Sequence, residues 1–206
     1  MLTPERAANW MWGLWALSWW AASAWRRPAI KRAGASAEVL HLTVTVLGMA
    51  LVFATPASVR WILAEASAGN PPAMRVWAPD LALSWTLFGL VVVGFAFCWW
   101  ARIHLGALWS GSVTRKTEHH IVDTGPYALV RHPIYTGLIL AAFATAALRG
   151  MVSSLVGAGL VVLGFWIKAR LEERFLRSEL GPGAYDAYAA RTPMLIPRPW
   201  MGGARS

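Results

Sequence analysis

The sequence predicts an all-α fold: a polytopic integral membrane protein of about five transmembrane helices with a C-terminal cytoplasmic helical segment. Three observations predict it. Apolar residues make up 57% of the 206-residue chain and charged residues 14%, where an ordinary soluble domain carries about 25% charged residues. The apolar residues gather into five charge-free runs, at 7–25, 39–59, 81–101, 133–148 and 150–167. The basic residues flank those runs unevenly. Fifteen lysines and arginines fall on one side of a five-crossing arrangement and four (Arg6, Arg60, Arg75 and Arg149) on the other. The positive-inside rule places the fifteen in the cytoplasm, so the N-terminus is expected outside and the C-terminus inside. A four-helix arrangement would split the basic residues between the two faces.

The first three runs hold 19, 21 and 21 residues, enough to cross about 30 Å of hydrocarbon at about 1.5 Å per helical residue. Backbone groups in lipid must be satisfied within their own segment, which makes such runs helices. The first run lacks a strongly basic stretch before it and is too long for a cleavable signal peptide. Trp10, Trp12, Trp15, Trp19, Trp20 and Trp25 crowd it and are expected to serve as interfacial anchors and lipid-facing bulk. In the third run Cys98, the chain's single cysteine, is expected to be a small packing residue, because a reactive thiol needs a polar, activating setting. Residues 104–130 form a polar loop in which Gly106, Ser110, Gly111 and Ser112 weaken helix and Gly125-Pro126 signals a turn. The fourth and fifth runs have 16 and 18 residues and are parted only by Arg149, so Arg149-Gly150 is expected to turn a helical hairpin. Residues 168–190 continue the fifth helix up to a break at Gly181-Pro182-Gly183, and the prolines at 193, 197 and 199 forbid regular helix beyond. Two parts are expected: residues 1–103, with three N-terminal transmembrane helices, and residues 104–206, with the loop, the hairpin and the tail.

Composition also excludes. No polar segment is long enough for an independent soluble core. The net charge of +9 is spread along the flanks of apolar runs, not gathered into a basic-aromatic patch, so no nucleic-acid partner is expected. His119 and His120 are adjacent, which projects them apart, and neither HExxH nor a cysteine cluster accompanies them, so no metal site is expected. Gly157 and Gly159 lie inside an apolar helix and not after a strand; close helix packing is expected of them.

The chemistry-bearing residues lie where the polar loop becomes the fourth run. In Arg131-His132-Pro133 the proline suits a first helical turn, and it biases His132 towards extended backbone. Arg131 and His132 are thereby presented at a helix N-terminus, where free amides and the macrodipole favour an anion. Arginine adds a planar fork matched to carboxylate or phosphate. Glu172 and Glu173 sit just past the fifth run, on the same expected face. Neighbouring helix positions point about 100° apart, so one glutamate is expected to turn inward while the other pairs on the surface; Glu173 and Arg177 have the spacing for that.

Gly125-Pro126-Tyr127, then Arg131-His132-Pro133-Ile134-Tyr135-Thr136-Gly137, a hairpin, Glu172-Glu173, Tyr185-Asp186-Ala187-Tyr188 and Arg191 before a proline-rich end together resemble the isoprenylcysteine carboxyl methyltransferase family. More loosely they resemble the bacterial phospholipid and small-thiol methyltransferases of the same membrane superfamily. The resemblance covers roughly residues 120–200. It implies an integral membrane methyltransferase that takes S-adenosylmethionine in a cytoplasmic pocket under the C-terminal segment and a lipophilic small-molecule or lipid acceptor from the bilayer. It implies that Tyr127, His132 and Tyr135 belong to the donor site, that Tyr188 and Arg191 close it, and that Arg131 with Glu173 or Glu172 addresses the reacting group. An acceptor carboxylate is already ionised near neutral pH and needs no base; for an amine, phenol or thiol a glutamate becomes the candidate base. Two other readings stay open, a sterol-reductase-like NADPH-dependent oxidoreductase and a non-catalytic membrane binding protein.

Overall fold

The computed structural model describes residues 2–25, 31–32, 35–55, 75–106, 114–115, 121–180 and 182–198. Expectations for Ser110, Gly111, Ser112, His119, His120, Gly181 and Pro199 lie outside the described residues. Each of the five apolar runs contains a helix: α1 Pro4–Ala22, α2 Ala35–Phe53, α3 Leu81–Leu105, α5 Pro133–Arg149 and α6 Val152–Leu180. A one-turn α4, Pro126–Leu129, precedes α5, and α7, Pro182–Arg191, follows α6. Two of these, Leu81–Leu105 and Val152–Ser178, are long and apolar enough to cross a membrane. The apolar parts of α2 and α5, Glu38–Phe53 and Pro133–Arg149, are shorter. Among the described residues, two short pairings accompany the helices: Lys31–Arg32 pairs antiparallel with Thr114–Arg115 as a two-residue ribbon, and Arg75 forms a single antiparallel bridge with Met151.

The helix ends follow local chemistry. Thr3 caps α1 by accepting the Arg6 amide, with Pro4 in the first turn, and Asp80 caps α3 by accepting the Leu83 amide at 2.8 Å. Such caps satisfy amides that have no partner inside the helix. The expected hairpin turn is present. Gly150 takes φ 61° and ψ 24°, a left-handed conformation that costs glycine little, and its carbonyl accepts the Val76 amide at 2.7 Å. Arg149 turns back to the end of α2, donating to the Ala54 carbonyl at 2.7 Å.

Two close helix pairs build the core. α2 lies against α6 where Gly48 faces Gly157; a Cβ on Gly157 would stand 2.5 Å from both the Gly48 oxygen and the Val52 nitrogen. α3 lies against α5, where Gly94 faces Gly137 and Cys98 donates its Sγ–H to the Ile134 carbonyl at 3.2 Å. Small residues let the backbones approach. Cys98 is thus the packing residue expected, and Gly157 the packing glycine; Gly159 has open space beside it.

The tryptophans depart from expectation. Trp10 and Trp20 face outward, but Trp12 is buried, its Nε1 donating to Thr145 at 3.0 Å and its ring edge-on to Phe53 and Phe95. Trp15 stacks on Phe95 and Trp19. The i, i+3, i+4 spacing puts 12, 15 and 19 on one side of α1, where aromatic neighbours on α3 receive them. The result is an aromatic wall and not only an anchor.

Candidate functional site

Pro133 opens α5 at its first turn, and His132 before it is non-helical, with φ −125° and ψ 64°. Arg131 and His132 therefore leave the chain in front of the helix. Opposite them α6 continues without a break past its apolar part and carries Glu172 and Glu173 alongside. The tail after α7 comes back across the same spot. The Arg131 amide donates to the Pro193 carbonyl at 2.8 Å, the His132 amide to the Met194 carbonyl at 3.1 Å, and the Thr136 hydroxyl to the Leu195 carbonyl at 2.6 Å.

The side chains form one connected network. The Tyr135 hydroxyl donates to Glu172 Oε1 at 2.6 Å, and Glu172 Oε2 lies 3.4 Å from His132 Nδ1. His132 Nε2 lies 3.3 Å from Glu173 Oε1. The same Glu173 oxygen accepts from Arg131 through Nε and one terminal nitrogen, both at 2.8 Å. The remaining terminal nitrogen of Arg131 donates to the carbonyls of Ala189 at 3.0 Å and Thr192 at 2.6 Å. Four of the five guanidinium N–H donors are thus engaged. Glu173 is 1% exposed in its side chain and Glu172 20%. Glu173 also meets Arg177 at 4.0 Å, the i, i+4 pair expected.

The expectation that only one glutamate turns inward is corrected. Both carboxylates reach His132, because the ring stands between them and offers one nitrogen to each. A difference of about 100° in direction brackets the imidazole and excludes neither residue. Ionised carboxylates only accept, so donating to both of them requires the imidazolium form of His132. Burial on its own would lower the pKa of His132; hydrogen bonds to Glu172 and Glu173, with their charges, outweigh it and raise the pKa above its ordinary value.

An aromatic floor supports the network. His132 stacks on Tyr135 at a centroid distance of 5.3 Å, Tyr135 stacks on Phe165 at 4.9 Å, and the Lys168 ammonium lies 5.3 Å from the Tyr135 ring centre. The Tyr188 hydroxyl donates to the Tyr127 carbonyl at 2.7 Å, which ties α7 to α4. Burial raises the pKa of both phenols and keeps them donors. Arg131, His132, Tyr135, Glu172 and Glu173 are thus in mutual contact, with Tyr127 and Tyr188 joined to each other at the rim. Arg191 reaches the network only at its rim, its guanidinium 6.0 Å from the Tyr188 ring centre. It is exposed and pairs with Asp123 in the loop before α4.

Several neighbours of the network were not foreseen. Thr192 and Ala189 enter through backbone carbonyls, which carry no residue-type signal. Asp123 is a lone loop acid. His41 on α2 is buried. A histidine inside an apolar run is the sequence signal that could have marked it.

Comparison with known proteins agrees with the residues. Residues 87–178 match the isoprenylcysteine carboxyl methyltransferase (ICMT) family. The chain is 30% identical over 146 residues to the cobalt-zinc-cadmium resistance protein CzcN of Cupriavidus metallidurans, covering 68% of this chain and 60% of that protein. It is 36% identical over 84 residues to protein-S-isoprenylcysteine O-methyltransferase of Schizosaccharomyces pombe, covering 40% of this chain and 35% of that protein. It is 30% identical over 129 residues to protein-S-isoprenylcysteine O-methyltransferase B of Arabidopsis thaliana, covering 59% of this chain and 65% of that protein. The chain spans between about a third and two thirds of the length of these relatives. The matched segment contains most of α3, the helix start at Arg131-His132-Pro133 and both glutamates, and through it the chain is similar to the isoprenylcysteine carboxyl methyltransferase family.

Proposed function

We propose that this chain is an integral membrane methyltransferase that uses S-adenosylmethionine and acts on a lipophilic acceptor. The observation that carries the proposal is the connected set Tyr135–Glu172–His132–Glu173–Arg131, gathered at the start of α5 inside a segment matching a methyltransferase family. In a five-crossing arrangement this set lies at the cytoplasmic lip. α6 has 29 residues, roughly 43 Å at about 1.5 Å per residue, so its last turns extend beyond a hydrocarbon core of about 30 Å and carry the glutamates with them.

The residues fit such a donor. Its amino group and ribose hydroxyls are donors, and Glu172, partly open to solvent, is an acceptor. Its carboxylate suits the helix start at α5, where the macrodipole favours an anion and the amides of Ile134 and Tyr135 fall in the first turn. When bound, the donor supplies an electrophilic methyl group. Tyr127, Tyr188 and Arg191 hold the α4–α7 side closed, His132 and Tyr135 orient Glu172, and Arg131 positions Glu173 and the tail. Arg131 acts on the reacting atoms through these partners, since four of its five donors are already committed. The dry, preorganised setting this gives favours transfer in which charge is dispersed.

The test is calorimetry with S-adenosylmethionine and, in parallel, NADPH on the detergent-purified full chain, followed by a methylation screen of lipid extracts. Saturable binding of S-adenosylmethionine alone is expected. Binding of NADPH in its place would move the assignment to an oxidoreductase, and binding of neither would leave a non-catalytic binder.

A further inference from the structure

The charges of the network balance. Arg131 and the His132 imidazolium are positive, and Glu172 and Glu173 are negative. Both cations are also engaged. Arg131 has four of its five donors on Glu173 and two carbonyls, and His132 has both ring nitrogens on carboxylates. The next cation along α6, Arg177, is held by Asp186 at 2.7 Å. An anionic acceptor arriving beside Glu172, the more open carboxylate, would therefore be repelled by it. Such an acceptor needs a further cation at the site.

Lys168 supplies one. It is the first charged residue after the apolar run 150–167, so it stands where α6 leaves its apolar part. Its ammonium lies 5.3 Å from the centre of the Tyr135 ring, and the hydroxyl of that ring donates to Glu172 at 2.6 Å. Phe165, one turn earlier on α6, stacks on the same ring at 4.9 Å. Lys168 and Glu172 have the i, i+4 spacing that puts both on one side of the helix. The lysine is thus turned towards the network. Arg170, two residues on, shows the other outcome: its guanidinium lies 5.4 Å from the ring centre of Trp166, which is exposed. A lysine that served only lipid headgroups would extend outward in the same way. In the five-crossing arrangement Lys168 lies on the bilayer side of Glu172, so an acceptor with its tail in hydrocarbon brings its head to Lys168 first. The ammonium has three rotatable donors, and a partner within the protein does not exclude an incoming carboxylate.

We propose that Lys168 receives the acceptor's carboxylate and so selects acidic over neutral lipophilic acceptors. The proposal rests on the methyltransferase reading above, and a carboxyl group is what the description of the matching family names. In the balanced step a bond forms between a carboxylate oxygen and the methyl carbon, and the methyl–sulfur bond of the sulfonium donor breaks with its electron pair left on sulfur. No proton moves. The negative charge of the carboxylate and the positive charge of the sulfonium both vanish, while Lys168 keeps its own. Its attraction is strongest before transfer, weakens as the carboxylate charge is consumed and is absent from the ester. Lys168 therefore acts on acceptor binding and on release of the ester. An interaction that is no stronger in the transition state than before it lowers KM without raising kcat.

The experiment uses the full chain in nonionic detergent and two probes of one shape, N-acetyl-S-geranylcysteine and its carboxamide. Calorimetry in the presence of S-adenosylhomocysteine reads the affinity for each, and transfer from methyl-labelled S-adenosylmethionine to the carboxylate probe reads kcat and KM. Wild type should bind the carboxylate better than the amide. Lys168→Gln should cut that preference by about tenfold or more, the low end for a hydrogen bond to a charged group. The loss should appear in KM, with kcat no lower than about a third of wild type and S-adenosylmethionine affinity unchanged as the check of folding. Lys168→Arg keeps the charge and should keep most of the preference, and Arg170→Gln should leave it whole. A preference unchanged in Lys168→Gln, an equal loss in Arg170→Gln, or a fall in kcat with KM unmoved would overturn the proposal. So would a wild type that binds both probes equally, or neither. Failure of wild type to bind S-adenosylmethionine would instead remove the reading on which it rests.

Discussion

Replacing Arg131 by lysine keeps the charge and removes the fork, which isolates what the geometry contributes. The guanidinium makes two bonds to Glu173 at 2.8 Å and one each to the Ala189 and Thr192 carbonyls at 3.0 and 2.6 Å. These acceptors lie on both α6 and the tail, and a single ammonium cannot span them. Arg131→Lys therefore loses at least one bond to a carboxylate, about 1.5–3 kcal/mol, and one to a carbonyl, about 0.5–1.5 kcal/mol. Together that is about 2–4.5 kcal/mol, or roughly 30- to 1,500-fold in the equilibrium for opening the tail. Amide hydrogen exchange reads this directly, because the Arg131 and His132 amides donate to Pro193 and Met194. Their protection should fall by at least about thirtyfold, and methyl transfer should fall with it. Protection within about threefold of wild type would refute the reasoning, because Arg131 would then not hold the tail.

Four further outcomes follow from the same structure. The raised pKa of His132 contributes stability that is fully present below its ordinary value of about 6.5 and is lost as pH rises through the folded value. Melting temperature should decline over that rise and the decline should flatten in His132→Asn; equal slopes would contradict the imidazolium assignment. Tyr188→Phe deletes the bond to the Tyr127 carbonyl, about 0.5–1.5 kcal/mol, and should weaken S-adenosylmethionine binding by roughly two- to tenfold in calorimetry. Gly157→Ala drives a methyl into the α2 backbone and should cost about 1–3 kcal/mol in denaturant titration, whereas Gly159→Ala, with open space around it, should be neutral. Cysteines placed near residues 34, 70 and 205 should label from inside, outside and inside; labelling of 70 and 205 from one side would end the five-crossing proposal.

Much of the helical layout was legible because it is written in residue type along the chain. The five charge-free runs hold five helices, Arg149-Gly150 turns the hairpin, and Pro133 starts α5. The clustering of Arg131, His132 and Tyr135 with the glutamates was legible as a motif. Its wiring was not, because helical angle fixes where Glu172 and Glu173 point but not where the His132 ring stands between them. Trp12 reads like its neighbours in a tryptophan-rich run, and only Thr145, Phe53 and Phe95 on other elements draw it inward. The return of residues 193–195 was hidden for a simpler reason: its bonds are made chiefly by backbone carbonyls.

That return has a consequence for biosynthesis. A chain made only as far as residue 181 holds the residues of all six helices up to Leu180 and every charged side chain of the network. Yet the Arg131 and His132 amides and two guanidinium donors still lack the acceptors they will have in the finished protein, which arrive only with residues 189–194. A chain stopped before residue 189 would thus carry the charged residues of the site without the backbone acceptors that hold Arg131 and His132 in place.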